Sequence, residues 1–171
     1  MTADISGETL AINGGKPAKQ KKAPPMYPGG NLIDQEEENS VLETLRARRL
    51  FRYYGPVEGP SKVDQLEEEF AALMNTRRSL AVTSGTAALI CGLRGLGIGP
   101  GDEVIVPAYT WIASAAAVLA AGAVPVIAEI DDTLTLDPAD IENHISPYTK
   151  AIMPVHIRGT PCQMDEIMAV A

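Results

Sequence analysis

Ser79-Leu80-Ala81-Val82-Thr83-Ser84-Gly85-Thr86-Ala87-Ala88-Leu89 is the stretch from which the fold is read. Residues 80–83 have the length and apolarity of a short buried strand, Ser84-Gly85-Thr86 those of a tight turn, and residues 87–94 those of a helix apolar on most sides. From Ser79 onward the signals alternate. Residues 95–101 are a Gly/Pro-rich stop and 104–106 a strand. Residues 111–121 are a buried helix ended by Gly122, and 124–130 another strand. Residues 138–144 form a surface helix with Asp137 as its cap, and 151–155 a further strand. The strands are apolar throughout, not at every second residue. That pattern belongs to an α/β protein whose mostly parallel sheet carries helices on both faces.

Upstream the organisation is different. Residues 1–30, rich in Gly, Pro and Lys, predict an extended arm without a core of its own. Residues 31–78 predict a helical entry segment. Its first helix, over 34–49, starts acidic and ends basic, which suits the helix dipole. A loop over 51–60 holds Arg52, Tyr53, Tyr54, Gly55 and Pro56. Ser61 then opens a second helix, with Asp64 as an approximate capping pair. Val63, Leu66, Phe70 and Leu73 form a stripe expected to face a core, and Glu67-Glu68-Glu69 a solvated face. Residues 79–171 are then the first, incomplete part of an α/β domain. A helix begins at Asp165 and meets no Gly, Asn or Pro stop, so the expectation is a fragment of a longer protein. Such a fragment is expected to be poorly soluble, with a cut sheet edge and an uncovered apolar face.

Composition excludes several classes. The 171 residues carry a net charge of −8, which argues against a nucleic-acid partner. Cys91 and Cys162 can form neither a disulfide framework nor a conventional zinc site, and His144 and His156 are too far apart for a helical metal pair, so no metal is expected. No signal-peptide pattern occupies the first 30 residues, so a cytoplasmic protein is expected. Residues 104–128 contain no charge over a span long enough for a bilayer. Pro107, Gly122 and Pro125 divide that run into pieces of strand or helix length, so it reads as interior.

Ser84-Gly85-Thr86 carries the strongest chemical signal. A helix start leaves backbone N–H groups unpaired and carries partial positive charge; Gly85 would let an anion approach, and Ser84 and Thr86 add hydroxyls. The bare tripeptide equally describes, and by itself favours, a Ser N-cap with small residues for close packing. Gly95, Gly97, Gly99 and Gly101 follow a helix and precede a strand, the wrong order for a dinucleotide-binding loop. Pro107-Ala108-Tyr109-Thr110-Trp111 lies at the C-terminal end of a strand, the edge where open α/β sheets bind ligands; its Trp, the only one in the chain, could stack on a planar ring or simply pack. His156, on the same edge, could touch a ligand, though a structural hydrogen bond is the commoner role; Arg158 could pair with an anion or lie in solvent. Cys91 is expected to be inert packing in a buried helix.

These pieces stand in a recognisable order. Leu10-Ala11-Ile12-Asn13-Gly14-Gly15-Lys16-Pro17, Gly55-Pro56 and Leu66-Glu67-Glu68-Glu69-Phe70-Ala71 are followed by Ser84-Gly85-Thr86-Ala87-Ala88-Leu89. Then come Gly99-Pro100-Gly101-Asp102-Glu103-Val104-Ile105-Val106-Pro107, Tyr109-Thr110-Trp111, Thr149-Lys150-Ala151-Ile152-Met153-Pro154-Val155-His156 and Met164-Asp165. Over nearly the whole chain the series resembles the DegT/StrS family of pyridoxal-phosphate-dependent sugar and cyclitol aminotransferases. Its opening arm is most similar to the branch of scyllo-inosose aminotransferases and aminohydroxybenzoate synthases.

The resemblance implies the large domain of a type I pyridoxal-phosphate enzyme, here truncated, and a homodimer with active sites at the subunit interface. It implies that Gly85, Thr86 and Ala87 hold the cofactor phosphate and that Trp111 stacks on its ring. It also puts Tyr53 and Tyr54 near the substrate entrance. His156 completes the candidate substrate residues. The Schiff-base lysine and the acid that pairs with the pyridine nitrogen are expected beyond Ala171, since neither Lys62 nor Lys150 matches the catalytic position. The fragment itself is then inactive. Its parent would transfer an amino group from glutamate or glutamine to a keto-sugar or keto-cyclitol. Two alternatives remain open: a sugar dehydratase or cyclising relative, in which His at the lysine position would mark dehydration, and a non-catalytic regulatory protein of the same fold.

Overall fold

The computed structural model describes residues 9–19, 21–22, 30, 32–53 and 59–171. The chain divides into two compact units, Met1–Gln65 and Leu66–Ala171.

In the first unit, the described part of the arm forms a 3-10 turn at Ala11–Asn13 with no buried residue. Helix α1 spans Gln35–Ala47. Asp34 caps it: its carboxylate accepts from the Glu36 N–H, and its own N–H donates to Glu37 Oε2, both at 2.8 Å. Glu36, Glu37 and Glu38 in the first turn meet the positive end of the dipole. Helix α2, Lys62–Leu73, crosses the division between the units and opens on a reciprocal pair: the Ser61 N–H donates to Asp64 Oδ2 at 2.8 Å and the Asp64 N–H to Ser61 Oγ at 3.1 Å.

The expected core stripe on α2 is a correction. Leu66, Phe70 and Leu73 are exposed. Helical spacing tells which face is apolar, not whether anything covers it.

The second unit holds three parallel strands in the order β2-β1-β3: β1 Glu103–Pro107, β2 Val124–Ala128 and β3 Thr149–Ile152. Around them are helices α3 (Gly85–Gly95), α4 (Ala113–Ala120), α5 (Pro138–Ile141) and α6 (Met164–Val170). Strand alternation distributes β1 between two cores. Val104 and Val106 pack with Leu93, Ala117 and Val118 of α3 and α4. Ile105 packs with Leu136, Ile141, Cys162 and Ile167 on the α5 and α6 side. Strand β1 is thus covered on both faces, as its apolar sequence predicts, whereas Val124 and Ile127 of β2 are exposed. The uncharged run over 104–128 supplies β1, α4 and β2, and among the described residues no helix is long and apolar enough to cross a membrane.

Three further expectations change. Residues 80–83 are not a strand, and Leu80 is exposed. Both sides of β1 are taken by β2 and β3, and the Ala81 N–H donates instead to Glu67 Oε1 at 2.7 Å, while Ser79 Oγ donates to the Glu67 carbonyl at 2.8 Å. Glu67 therefore ties this segment to α2 and is not a purely solvated residue. Strand β3 ends at Ile152, not at 155; the Met153 N–H makes the last bond to β1, at the Ile105 carbonyl. Cys91 is exposed, so α3 is buried on one side only, through Leu93.

Candidate functional site

Helix α3 begins where Ser84, in extended conformation, caps it; Ser84 Oγ accepts from the Ala87 N–H at 3.1 Å. The amides of Gly85 and Thr86, in the same first turn, have no helical carbonyl to reach. Gly85 has an ordinary negative φ, so the backbone does not itself require glycine there. A Cβ built on it would meet nothing within 4 Å. What glycine leaves at this position is open space at the positive end of a helix.

That space is part of a cavity of about 540 Å³. Its walls are Gly85, Thr86 and Leu89 of α3; Thr110, Trp111, Ala113 and Ser114 at the β1–α4 junction; and Met153 to His156 after β3. Trp111 is 75% exposed, so its indole is not committed to packing among the described residues. Thr110 Oγ1 and Ser114 Oγ are hydrogen-bonded at 2.8 Å, and Ser114 is buried. The His156 ring accepts at Nδ1 from the Cys162 N–H at 3.0 Å. Among the described residues no Asp, Glu, Lys or Arg lines the cavity, so the polar groups open to an anion there are backbone dipoles, hydroxyls and the His156 ring. The size suits a cofactor or small substrate.

The residues after β1 and after β3 meet here because parallel strands deliver their C-terminal ends to one edge, and the start of α3, which no strand directly precedes, joins them as Leu93 of α3 packs with α4 and β1. Gly85, Thr86, Trp111 and His156 are all brought to the cavity. Ala87 is not among its lining residues, and its amide is engaged by Ser84. Arg158 is exposed and outside the lining, with a left-handed φ of 51°. Tyr53 belongs to the first unit, where it meets Phe51 edge-to-face at 5.7 Å and Arg52 lies 5.4 Å from its ring. Tyr54 lies outside the described residues. Thr110, Ser114 and Met153 were not singled out by sequence reasoning; the i, i+4 spacing of the two hydroxyl residues was the available signal.

Parallel α/β architecture with a ligand-sized cavity at a helix start and the strand ends defines the class. The chain belongs to the DegT/DnrJ/EryC1/StrS aminotransferase family, whose sequence signature matches residues 31–171. It is 46% identical over 141 residues to the spore coat polysaccharide biosynthesis protein SpsC of Bacillus subtilis, covering 82% of this chain and 34% of that protein. It is 51% identical over 114 residues to a dTDP-3-amino-3,4,6-trideoxy-alpha-D-glucose transaminase of Streptomyces venezuelae, covering 66% of this chain and 30% of that one. Among solved structures, 3-amino-5-hydroxybenzoic acid synthase superposes with a TM-score of 0.77 at 39% identity, covering 87% of this chain and 38% of that one. The chain spans about a third of the length of the relatives it matches.

Proposed function

We propose that this chain supplies the cofactor-holding edge of a pyridoxal-phosphate-dependent aminotransferase. The full reaction would carry an amino group from glutamate or glutamine to a keto-sugar or keto-cyclitol, in a homodimer. The observation that carries the reading is the single cavity shared by the α3 start, with its open space at Gly85, and the exposed indole of Trp111. Family membership and the sugar-nucleotide transaminase among the relatives support it.

In this reading the amides of Gly85 and Thr86, with the Thr86 hydroxyl, hold a phosphate. Trp111 fixes the tilt of the pyridine ring by stacking. Leu89, Ala113 and Met153 keep water from the ring face. Pyridoxal phosphate, when bound, supplies an aldehyde and an electron-accepting ring. The lysine and acid that complete the chemistry are assigned to positions outside this chain.

The test reads Trp111, the single tryptophan of these 171 residues, as the difference in emission between the complete protein and its Trp111→Phe variant. Titration of the complete protein with pyridoxal phosphate should quench Trp111 emission. Transfer of 15N from labelled glutamate or glutamine to a keto-sugar nucleotide should be visible by mass spectrometry. Unchanged emission together with no labelled amino sugar would overturn the reading, and a monomer by sedimentation would remove the homodimer from it.

A further inference from the structure

The amino-transfer reading counts His156 among the candidate substrate residues without saying what its ring does; it lines the cavity just beyond the end of β3. Cys162 fixes it from two sides. The Cys162 N–H donates to Nδ1 at 3.0 Å, and the Cys162 thiol donates to the Val155 carbonyl at 3.2 Å, immediately before the histidine. Cys162 is itself buried, so this clamp is part of the core under the α5 and α6 face.

A ring nitrogen that accepts from a backbone N–H carries its lone pair toward that N–H. In the neutral imidazole the proton is therefore on Nε2. Nε2 has no hydrogen-bond partner among the described residues. The neighbouring wall, Met153, Pro154 and Val155, is apolar. His156 is thus the one polar side chain on that side of the cavity, with its donor and acceptor roles already assigned by the backbone.

We infer that His156 presents Nε2–H as a fixed hydrogen-bond donor to an oxygen atom of the molecule held in this cavity. Its partner must be an acceptor: a hydroxyl, carbonyl or ring-borne oxygen. A group with donors only, such as an ammonium, is disfavoured at the same point because two donors would face each other. For its ligand the inference rests on the amino-transfer reading, where the oxygen could belong to the cofactor ring or to the polyhydroxylated substrate; the tautomer does not rest on it.

The experiment has two arms. In 15N-histidine-labelled complete protein, long-range 15N–1H correlations, assigned by their loss in His156→Asn, should show Nδ1 unprotonated and Nε2 protonated. An Nδ1-protonated ring overturns the inference whatever binds. The second arm compares His156→Asn with His156→Gln. Asn keeps an acceptor for the Cys162 N–H but cannot reach as far as Nε2, whereas Gln places an amide donor near it. His156→Asn should melt close to wild type yet lose about tenfold in affinity, the size of one hydrogen bond, with most of the loss restored by Gln. The loss should appear in pyridoxal phosphate titration if the oxygen is on the cofactor, or in KM for the keto-sugar with kcat little changed if it is on the substrate. Unchanged cofactor affinity, KM and kcat in the Asn variant overturn the inference. Wild-type protein whose Trp111 emission ignores pyridoxal phosphate overturns the functional reading instead.

Discussion

Gly85 and Asp140 show how single residues divide the tasks of binding and stability. A Cβ at Gly85 meets no protein atom within 4 Å, so Gly85→Val should leave the unfolding midpoint near wild type while filling the approach to the Gly85 and Thr86 amides. Pyridoxal phosphate affinity, read from Trp111 emission, should fall by about tenfold or more, the scale set by losing charge-assisted hydrogen bonds to a phosphate. Equal affinity in the variant would move the phosphate elsewhere. Asp140 is remote from the cavity lining and acts on the fold. Its carboxyl is held below the ordinary value of 3.8, first by the Glu129 N–H, then by Asn143 and His144. A carboxylate with a lowered folded pKa contributes stability that is present above 3.8 and is lost as pH falls through the folded value. Urea midpoints taken from about pH 6 to about pH 3 should therefore drop less steeply for Asp140→Ala than for wild type. Parallel acid limbs would show that the interaction does not contribute.

The helices start and stop where local chemistry says they should. Asp34, Ser61, Ser84 and Asp137 all lie at helix starts with side-chain oxygens on nearby N–H groups or, for Ser61, in a reciprocal pair with Asp64. Gly122 ends the α4 turn with φ +85°, and a Cβ there would stand 3.3 Å from Pro100 Cγ. Gly122→Ala thus meets both a left-handed backbone and a tight contact. It should cost about 1–2 kcal/mol in chemical unfolding, the penalty of a left-handed L-residue. A neutral or stabilised variant would mean that the turn reorganises. Cap residues and this glycine were legible in the sequence because each acts within four residues of itself. Residues 80–83 were misjudged for the complementary reason: strand character needs a partner, and the partner is a long-range fact.

At the scale of the molecule, β1 separates two cores. Leu93 belongs to the α3/α4 side and Ile141 to the α5/α6 side. Leu93→Ala and Ile141→Ala should each destabilise by about 2–5 kcal/mol, and the double variant by their sum within about 0.5 kcal/mol, since the two share no packing partner. A large interaction energy in the denaturation cycle would make the faces one cooperative core. The parallel sheet was readable in advance because a strand buried on both faces must be apolar at every position, as 104–106 is, but on β2 the same signal leaves Val124 and Ile127 exposed. The exposed stripe of Leu66, Phe70 and Leu73 was not, since periodicity records the shape of an apolar face and not its cover.

Apart from the strand expected over 80–83, the order of elements, the caps Ser61, Ser84 and Asp137, the parallel sheet and the candidate positions Gly85, Thr86 and Trp111 followed from the amino-acid sequence, because each depends on local propensity, burial pattern or motif order. Only the tertiary structure decided that Glu67 holds the segment before α3 and that Cys162 orients His156. Those are contacts between named atoms, made when the folded chain brings residues together, and no one-dimensional pattern encodes which donor reaches which acceptor.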